Sequence, residues 1–240
     1  MRVGCIVQAR QTSKRLPNKI LKKIENKTII EHIYKRLKKI KKVDKIIFAI
    51  PKNSKNFKLK NLLIKNKINH YSGSEKNVLK RYFETAKANK IDIIMRITSD
   101  CPLIDPILCS NMLSQFLKLK IDYMSNILTR SFPQGLDCEI FTFSALEKSV
   151  KLVKDNFEKE HVTPFMKRSN IFKKKNYLNK LGYMNDQRWT LDYKEDLEMI
   201  KIILKNKKLK KEVKWIKIYN FYKKFFYDKP YINQKYTNVN

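Results

Sequence analysis

The chain has 240 residues, 42% of them hydrophobic and 11% aromatic, and a formal net charge of +32 at pH 7, which fits one globular domain with a single core. No run approaches the ~20 apolar residues of a membrane span, and the apolar run at residues 3–7 is too short for a signal peptide. The four cysteines form no C-x-x-C pair. We therefore expect a cytoplasmic protein with reduced thiols. The charge alone would indicate a nucleic-acid-binding protein, but most of the 54 basic residues are lysines spread along the whole chain, so we expect no specific nucleic-acid partner.

The first half of the chain alternates strand-like and helix-like segments. Predicted strands cover 2–8, 45–50, 69–72, 91–97 and 122–125, and predicted helices cover 28–40, 57–65, 74–89 and 106–119. Ser74 and Asp105 precede helical periodicity and are candidate N-caps. This alternation predicts an α/β fold in which a mostly parallel sheet is covered on both faces, with ligands at the carboxyl ends of its strands.

The second half is less regular. A strand is predicted at 136–143 and another at 174–178, with helices at 144–153, 159–167, 194–205 and 214–226. Aromatic residues of the last helix recur at helical spacing, which favours a packed helix or a dimer contact over stacking on single-stranded nucleic acid.

The loop 8–19 follows the first predicted strand and reads Q-A-R-Q-T-S-K-R-L-P-N-K. It combines four basic residues with two hydroxyls, and such a loop before a helix can wrap a triphosphate with its cations and backbone N–H groups. A solvated basic loop is the plain alternative. The loop contains no glycine.

The fourth predicted strand ends in R-I-T-S-D-C-P-L-I-D-P, residues 96–106. A carboxylate at the end of a central strand, held by a proline turn, suits a hard cation that bridges phosphate oxygens. Asp100 is therefore the strongest single candidate for a functional residue, whereas Asp105 is expected to cap the next helix.

Four further segments carry recognisable patterns. They are G-S-E at 73–75 with V-L and R-Y at 78–82, P-Q-G-L-D-C-E-I-F at 133–141, E-H-V-T-P at 160–164, and R-W-T-L-D at 188–192 followed by E-D-L-E at 195–198. Asp137 and Glu139 are alternate residues of a predicted strand, so both are expected to face the same side. His161 is equally well explained as a packed structural residue. His32 and His70 have no partners at metal-ligand spacing, and we expect them to be structural.

Taken in order, these six segments resemble the CMP-sugar synthetases, which are cytidylyltransferases, and especially the branch called spore coat polysaccharide biosynthesis proteins. The family commonly has glycine where this chain has Thr12 and Ser99. The resemblance implies a Rossmann-like nucleotide-diphospho-sugar transferase fold in one domain. Its nucleotide-binding half would span 1–130, its sugar-binding half 131–205 and a C-terminal helical extension 206–240.

The resemblance also implies a role for particular residues. CTP would be bound by Ala9, Arg10, Ser13, Arg15, Lys19, Ser74, Glu75, Arg81 and Arg96, and Mg²⁺ would be bound by Asp100 and Asp192. Arg10, Lys19 and Asp100 would be catalytic. The acceptor, a sugar or sugar acid, would be contacted by Asp137, Glu139, His161 and Arg188.

The expected reaction is therefore transfer of CMP from CTP with release of pyrophosphate, in the synthesis of a surface polysaccharide or other glycan. One alternative is a glycosyltransferase that uses a nucleotide-sugar donor on the same fold, and another is a basic nucleic-acid-binding protein. Nucleotidyl transfer follows from the chemistry of the loop and of Asp100, while the choice of CTP over UTP or dTTP follows from the resemblance alone. The oligomeric state is open, with a homodimer as one candidate.

Overall fold

A computed structural model describes residues 1–211 and 214–226 of the chain. Its strands are β1 (Val3–Gln8), β2 (Lys23–Ile24), β3 (Lys27–Thr28), β4 (Lys45–Pro51), β5 (His70–Gly73), β6 (Ile93–Thr98), β7 (Tyr123–Ser125), β8 (Glu139–Thr142) and β9 (Lys174–Asn176). Its helices are α1 (Ile29–Leu37), α2 (Phe57–Lys65), α3 (Val78–Ala88), α4 (Pro106–Phe116), α5 (Phe143–Leu152), α6 (Asn156–His161), α7 (Pro164–Arg168), α8 (Lys194–Lys205), α9 (Lys207–Lys211) and α10 (Trp215–Phe226). None of the helices described is long and apolar enough to cross a membrane.

Seven strands form one twisted sheet in the order β5-β4-β1-β6-β8-β7-β9. The pairs β5/β4, β4/β1, β1/β6 and β7/β9 are parallel, and β8 runs antiparallel to both of its neighbours. The mostly parallel sheet with helices on both faces, predicted from the alternating pattern, is confirmed.

Apolar residues cover both faces of the sheet because alternate residues of a strand point in opposite directions. Within β1, Val3, Cys5 and Val7 pack in the core layer that includes α1, α4, α8 and α10, whereas Ile6 packs in the layer beneath α3 and α5. Both core layers are shielded by amphipathic helices, which gives the three-layer arrangement.

Several helix boundaries differ from the predicted ones: α1 ends at Leu37 rather than at 40 and α4 ends at Phe116 rather than at 119. Two further differences have a local cause. The predicted cap Ser74 is wrong: its hydroxyl accepts a bond from the Asn77 N–H at 3.0 Å, and the Asn77 side chain caps α3 by accepting from the Lys80 N–H at 2.8 Å. The predicted helix 159–167 is two short helices, because Val162 has a positive φ of 73° in a tight turn in which the Thr163 N–H donates to the His161 carbonyl at 2.9 Å. By contrast, the capping role of Asp105 is confirmed by bonds from the N–H groups of Ile107 and Leu108.

Strand lengths also differ. The predicted strand 136–143 is shortened to β8, so that Asp137 lies in the preceding loop. The hairpin of β2 and β3 was not predicted. Its turn uses Glu25 and Asn26 in left-handed conformations, with φ of 46° and 63°. The final predicted helix forms as α10, and its aromatic neighbours beyond residue 226 lie outside the described residues.

Candidate active site

The two loops with the strongest chemical signal meet at the carboxyl end of the sheet. β1 and β6 are neighbours whose last residues, Gln8 and Thr98, are paired in register. The Ser99 N–H donates to the Gln8 carbonyl at 3.0 Å. The loop 9–18 and the loop that carries Asp100 therefore start side by side, as expected for ligand-binding loops of a parallel sheet.

Lys19 joins this strand end to a distant part of the chain. Its ammonium lies 2.9 Å from Asp192 Oδ1, 2.7 Å from the Leu191 carbonyl oxygen and 3.5 Å from Asp100 Oδ2. Asp100 and Asp192, which are far apart in the sequence, therefore contact the same cation. The two residues expected to bind a metal are brought together, with a positive charge between them.

A second cation holds Asp192 from the loop side. Arg15 lies 2.8 Å from Asp192 Oδ1, and its guanidinium stacks over the Tyr193 ring with 5.1 Å between the Arg15 Cζ and the ring centroid. The Arg15 side chain is 52% exposed while that of Asp192 is 14% exposed. Arg15 can therefore swing toward solvent or a ligand, whereas Asp192 is held in place.

Asp192 is positioned by the segment that precedes it. The Leu191 N–H donates to the Asp100 carbonyl at 2.8 Å, and the Trp189 N–H donates to the Gln134 carbonyl at 2.7 Å. Gly135 allows this approach: its φ is 103°, and a Cβ there would lie 2.9 Å from the Trp189 carbonyl carbon. A glycine is therefore required where the two segments meet.

Arg188, a predicted substrate contact, lies beneath this segment and is buried. Its guanidinium bonds to the Thr190 hydroxyl at 2.6 Å and pairs with the Asp196 carboxylate. Asp196 Oδ2 in turn accepts from the Asp192 and Tyr193 N–H groups, each at 2.8 Å. In this structure Arg188 supports the backbone that carries Asp192.

The Asp100 carboxylate is ionised at neutral pH. Burial works to raise its pKa, but the charge of Lys19 and hydrogen bonds from Thr98 and Cys101 more than offset burial and lower the pKa below the ordinary value. An ionised carboxylate is the form that binds a metal cation.

The loop and the two carboxylates line a cavity of about 800 Å³. Its walls include Arg10, Ser13, Lys14, Arg15 and Lys19 from the loop and Asp100, Asp192 and Glu75 from elsewhere. This volume lies within the ~300–1,000 Å³ typical of small-molecule sites. Ala9, a predicted nucleotide contact, is buried behind the wall, and its N–H donates to the Ala49 carbonyl at 3.2 Å.

The segment around Ser74 forms one rim of the cavity. Glu75 is exposed and lines the cavity. Arg81 is buried, and its guanidinium donates to the Ser74 carbonyl at 2.6 Å. Burial lowers the pKa of Arg81, with a further lowering from Arg10, so the two arginines lie near enough to repel each other.

Two of the predicted contacts form a buried pair inside the sheet. Arg96 and Glu139 are register partners of β6 and β8, and their side chains pair directly. Glu139 also accepts from Tyr123 Oη at 2.5 Å and Thr163 Oγ1 at 2.7 Å, and Lys167 Nζ lies 3.1 Å away. Burial raises the pKa of Glu139, but the two cations and the two hydroxyls lower it by a larger amount. The resulting pKa is about 2.

The remaining predicted substrate residues lie apart from this pair. Asp137 makes a two-bond contact with Arg130, at 2.7 and 3.0 Å. His161 is exposed and packs against Phe157, with ring centroids 4.3 Å apart and the ring planes tilted by 42°. Its neighbour Glu160 lies 3.8 Å from Arg10, which places this helix beside the loop. Roles for these residues in binding stay predictions.

Sequence reasoning missed several partners of the predicted residues. Tyr193 and Leu191 complete the surroundings of Asp192 and Lys19, while Arg130 and Lys167 neutralise Asp137 and Glu139. Tyr193 directly follows the R-W-T-L-D segment and could have been included for that reason. Arg130 and Lys167 stand outside any pattern, and only the fold brings them to their carboxylates.

The chain is similar to known proteins over nearly its whole length. The profile described as "Cytidylyltransferase" matches residues 4–224. An uncharacterised protein of Methanocaldococcus jannaschii is 38% identical over 202 residues, covering 83% of this chain and 82% of that protein. A spore coat polysaccharide biosynthesis protein of Bacillus subtilis is 28% identical over 206 residues, covering 82% and 84%. The structure of a cytidylyltransferase from Leptospira borgpetersenii matches with a TM-score of 0.87 and 32% identity, covering 100% of both chains.

Proposed function

This chain belongs to the cytidylyltransferase family and is a nucleotidyltransferase, and from that premise we propose that it transfers CMP from CTP to a sugar or sugar acid with release of pyrophosphate. The observation that carries the proposal is the meeting of a basic loop with two carboxylates, Asp100 and Asp192, in one cavity of about 800 Å³. Cations supply the counter-charge for a triphosphate, and carboxylates supply ligands for the metal that accompanies it.

The proposed halves of the molecule follow from this arrangement. Residues 1–130 provide the loop, the Ser74–Glu75 rim and Asp100, and would hold the nucleotide. Residues 131–205 would hold the acceptor. They also place Asp192 beside the nucleotide-binding half, because the Leu191 N–H donates to the Asp100 carbonyl. The acceptor and donor would therefore meet above Asp100.

The donor set fits Mg²⁺. Asp100 and Asp192 already hold a cation, the Lys19 ammonium, between them. Mg²⁺ is usually bound by one or two carboxylates together with substrate phosphates and water. Among the described residues no three His, Cys, Asp or Glu side chains form a metal-binding group, so phosphate oxygens would have to complete the shell. When bound, the ion would neutralise phosphate charge and polarise the α-phosphate.

The reaction would join an acceptor hydroxyl oxygen to the α-phosphorus of CTP while the bond from that phosphorus to the bridging oxygen breaks. Arg10, Lys14 and Arg15 line the cavity on the loop side and would stabilise the negative charge on the departing pyrophosphate. Lys19, shielded from solvent with a side-chain exposure of 13%, would orient the phosphates against Asp100. Positioning and charge neutralisation would supply most of the rate enhancement. We assign no general base.

We further propose that the product enters the synthesis of a surface polysaccharide or another glycan, as the name of the Bacillus subtilis relative suggests. The four described cysteines are free and buried, which suits the reducing cytoplasm, where we place the reaction.

The proposal is tested by a panel of nucleoside triphosphates with Mg²⁺, read first as a shift in melting temperature and then as pyrophosphate release with a set of sugar acids. We expect the largest stabilisation and the only turnover with CTP. Formation of a nucleoside diphosphate from a nucleotide sugar would instead identify a glycosyltransferase. Submicromolar, salt-sensitive RNA binding without CTP binding would identify a nucleic-acid-binding protein.

A further inference from the structure

A second, smaller cavity of about 80 Å³ lies between α1, the β2–β3 hairpin and α8. It shares no lining residue with the large cavity. Its polar lining consists of Glu25, Lys27, His32, Lys35, Arg36 and Lys39. Four full positive charges and a histidine thus surround the space, against one carboxylate.

The cations share one face of α1 and its extension. Residues 32, 35, 36 and 39 follow the spacing i, i+3, i+4, i+7, which brings side chains together on a helix. Like charges at this spacing repel one another. The helix dipole favours cations at a C-terminal end, which accounts for Lys35 and Lys39 but does not account for a buried cation among them.

Arg36 is that buried cation. It is 8% exposed, and its guanidinium donates to the Ile104 carbonyl at 3.4 Å. The neighbouring carboxylate, Asp105, already accepts from three backbone N–H groups, those of Ile107, Leu108 and Trp215. In the described part of the chain no carboxylate oxygen lies within 4.0 Å of Arg36, whereas the buried Arg96 and Arg188 each pair with one directly.

The charge of Arg36 is therefore incompletely balanced. Burial lowers its pKa to about 10, although Asp105 acts in the opposite direction. The pKa of His32 is lowered by burial and by the charges of Lys27 and Arg36, against a bond to the Ile24 carbonyl and the charge of Glu25. The carbonyl can only accept, so His32 Nε2 donates to it at 2.9 Å, and Nδ1 of the neutral ring can accept from a protonated oxygen of an anion.

We propose that this cavity is a binding site for a small tetrahedral oxyanion of the phosphate class. The planar fork of Arg36 suits two oxygens of such an anion, and Lys27, Lys35 and Lys39 supply point charges around it. The cavity, at about 80 Å³ against about 800 Å³ for the large one, is of a size that suits a small anion. Leu204 of α8 closes the apolar side.

The site lies where the hairpin and α1, which are adjacent in sequence, meet α8 from the distant C-terminal part of the chain. An anion there would connect the hairpin to α1 and, through Arg36, to the Ile104–Asp105 segment that follows Asp100 by a few residues. Binding to the folded state alone raises the melting temperature as the anion concentration rises. The site is independent of the proposed transfer reaction.

The test is a calorimetric titration with inorganic phosphate at constant ionic strength. It is made in a Lys19→Ala background, because the basic loop of the large cavity would also bind phosphate. A saturable site that depends on Arg36 and Lys39 is expected to remain, whereas any phosphate still held by the other loop cations would not depend on these two residues. Lys39→Ala and Arg36→Lys are each expected to weaken that site about tenfold, the loss of one charge-assisted contact. Arg36→Lys keeps the charge, and its melting temperature and circular dichroism report whether it folds.

Lys60→Ala is the matched control, because Lys60 is an exposed helical lysine on α2 that lines neither cavity. It is expected to leave the phosphate affinity unchanged, and Lys39→Ala alone is expected to leave CTP turnover unchanged. No saturable phosphate binding in the Lys19→Ala protein would overturn the proposal. Equal losses in Lys60→Ala and Lys39→Ala would also overturn it, since general attraction by surface lysines would then explain the binding.

Discussion

Two carboxylate clusters at neighbouring strand ends differ in what surrounds them. Asp100 and Asp192 face the large cavity, and their cations reach them from a loop that borders solvent. Glu139, by contrast, is 2% exposed at its side chain and is enclosed by Arg96, Lys167 and two hydroxyls. The first cluster faces a cavity of ligand size, whereas the carboxylate of the second is shielded from solvent by its own partners.

The comparison separates function from stability. A carboxylate whose cation can be replaced by a metal or by phosphate-bound charge suits binding and catalysis. A carboxylate whose oxygens all have partners inside the protein contributes to stability, because its removal leaves buried cations unpaired. The two clusters should therefore respond to substitution in opposite ways.

The largest effect is expected for Asp100→Asn. It keeps the shape of the side chain but removes the charge that would hold Mg²⁺, so turnover of CTP should fall about 100- to 1,000-fold. The melting temperature should stay within a few degrees of the wild-type value, because Lys19 keeps its contacts with Asp192 and the Leu191 carbonyl. Pyrophosphate release and calorimetry measure the two quantities. Unchanged turnover would contradict the metal assignment.

The opposite pattern is expected for Glu139→Gln. Removing this charge leaves Arg96 and Lys167 without their shared partner, which should cost about 3 kcal/mol of unfolding free energy. For a chain of this size that is a fall in melting temperature of roughly 6–12 °C. Glu147→Gln, in an exposed pair with Lys151 at 3.5 Å, is the control and should change stability by less than about 1 kcal/mol. Equal stability of both variants would remove the distinction between the clusters.

Acid should reveal the same buried carboxylate. The pKa of Glu139 is about 2 in the folded protein against 4.5 for an ordinary glutamate, so the unfolded chain binds the proton more tightly. Its stabilisation, about 3 kcal/mol, is complete above pH 4.5 and is lost as the pH falls toward 2. The difference in unfolding free energy between wild type and Glu139→Gln, measured by denaturant titration, should shrink over that interval. A constant difference would mean that the charge of Glu139 is not what stabilises the sheet.

A smaller effect is expected for Arg15→Lys. Lysine keeps the charge but loses the stacking on Tyr193 and the fork that reaches Asp192 and the Tyr193 hydroxyl. An exposed contact of this kind contributes up to about 1 kcal/mol, so the KM for CTP should rise about threefold with little change in kcat. Steady-state kinetics decide this. A large fall in kcat would contradict this expectation, because it would show that the guanidinium fork, and not the positive charge alone, stabilises the departing pyrophosphate.

Much of the nucleotide side could be predicted from the sequence because its signals are local. Strands such as β1 and β6 are largely apolar runs, and the ligand loops begin where these runs stop. The Asp105 cap could be predicted because a carboxylate precedes a proline and an apolar run with helical periodicity. The break at Val162 could not be predicted, since a β-branched residue has no local preference for positive φ. The turn at Glu25–Asn26 carries only the weak signal of Asn26, a residue type that tolerates positive φ.

The site was only partly predictable for a related reason. Asp192 was identified through resemblance, but its contact with Lys19 joins residues far apart in the chain, and no pattern encodes their distance. Glu139 and Arg96 were predicted as ligand contacts, and the fold pairs them with each other. Arg36 gave no signal among so many lysines, because only burial distinguishes it.

The most direct measurement of the central claim follows the phosphorus atoms of CTP. Wild-type protein with Mg²⁺ and a set of sugar acids is incubated with CTP labelled either at the α- or at the γ-phosphate. We predict that the α-label appears in a CMP-sugar product and the γ-label in pyrophosphate, and that Asp100→Asn slows the formation of both about 100- to 1,000-fold. Orthophosphate as the labelled product, or equal transfer by the Asp100→Asn protein, would contradict nucleotidyl transfer at this cavity.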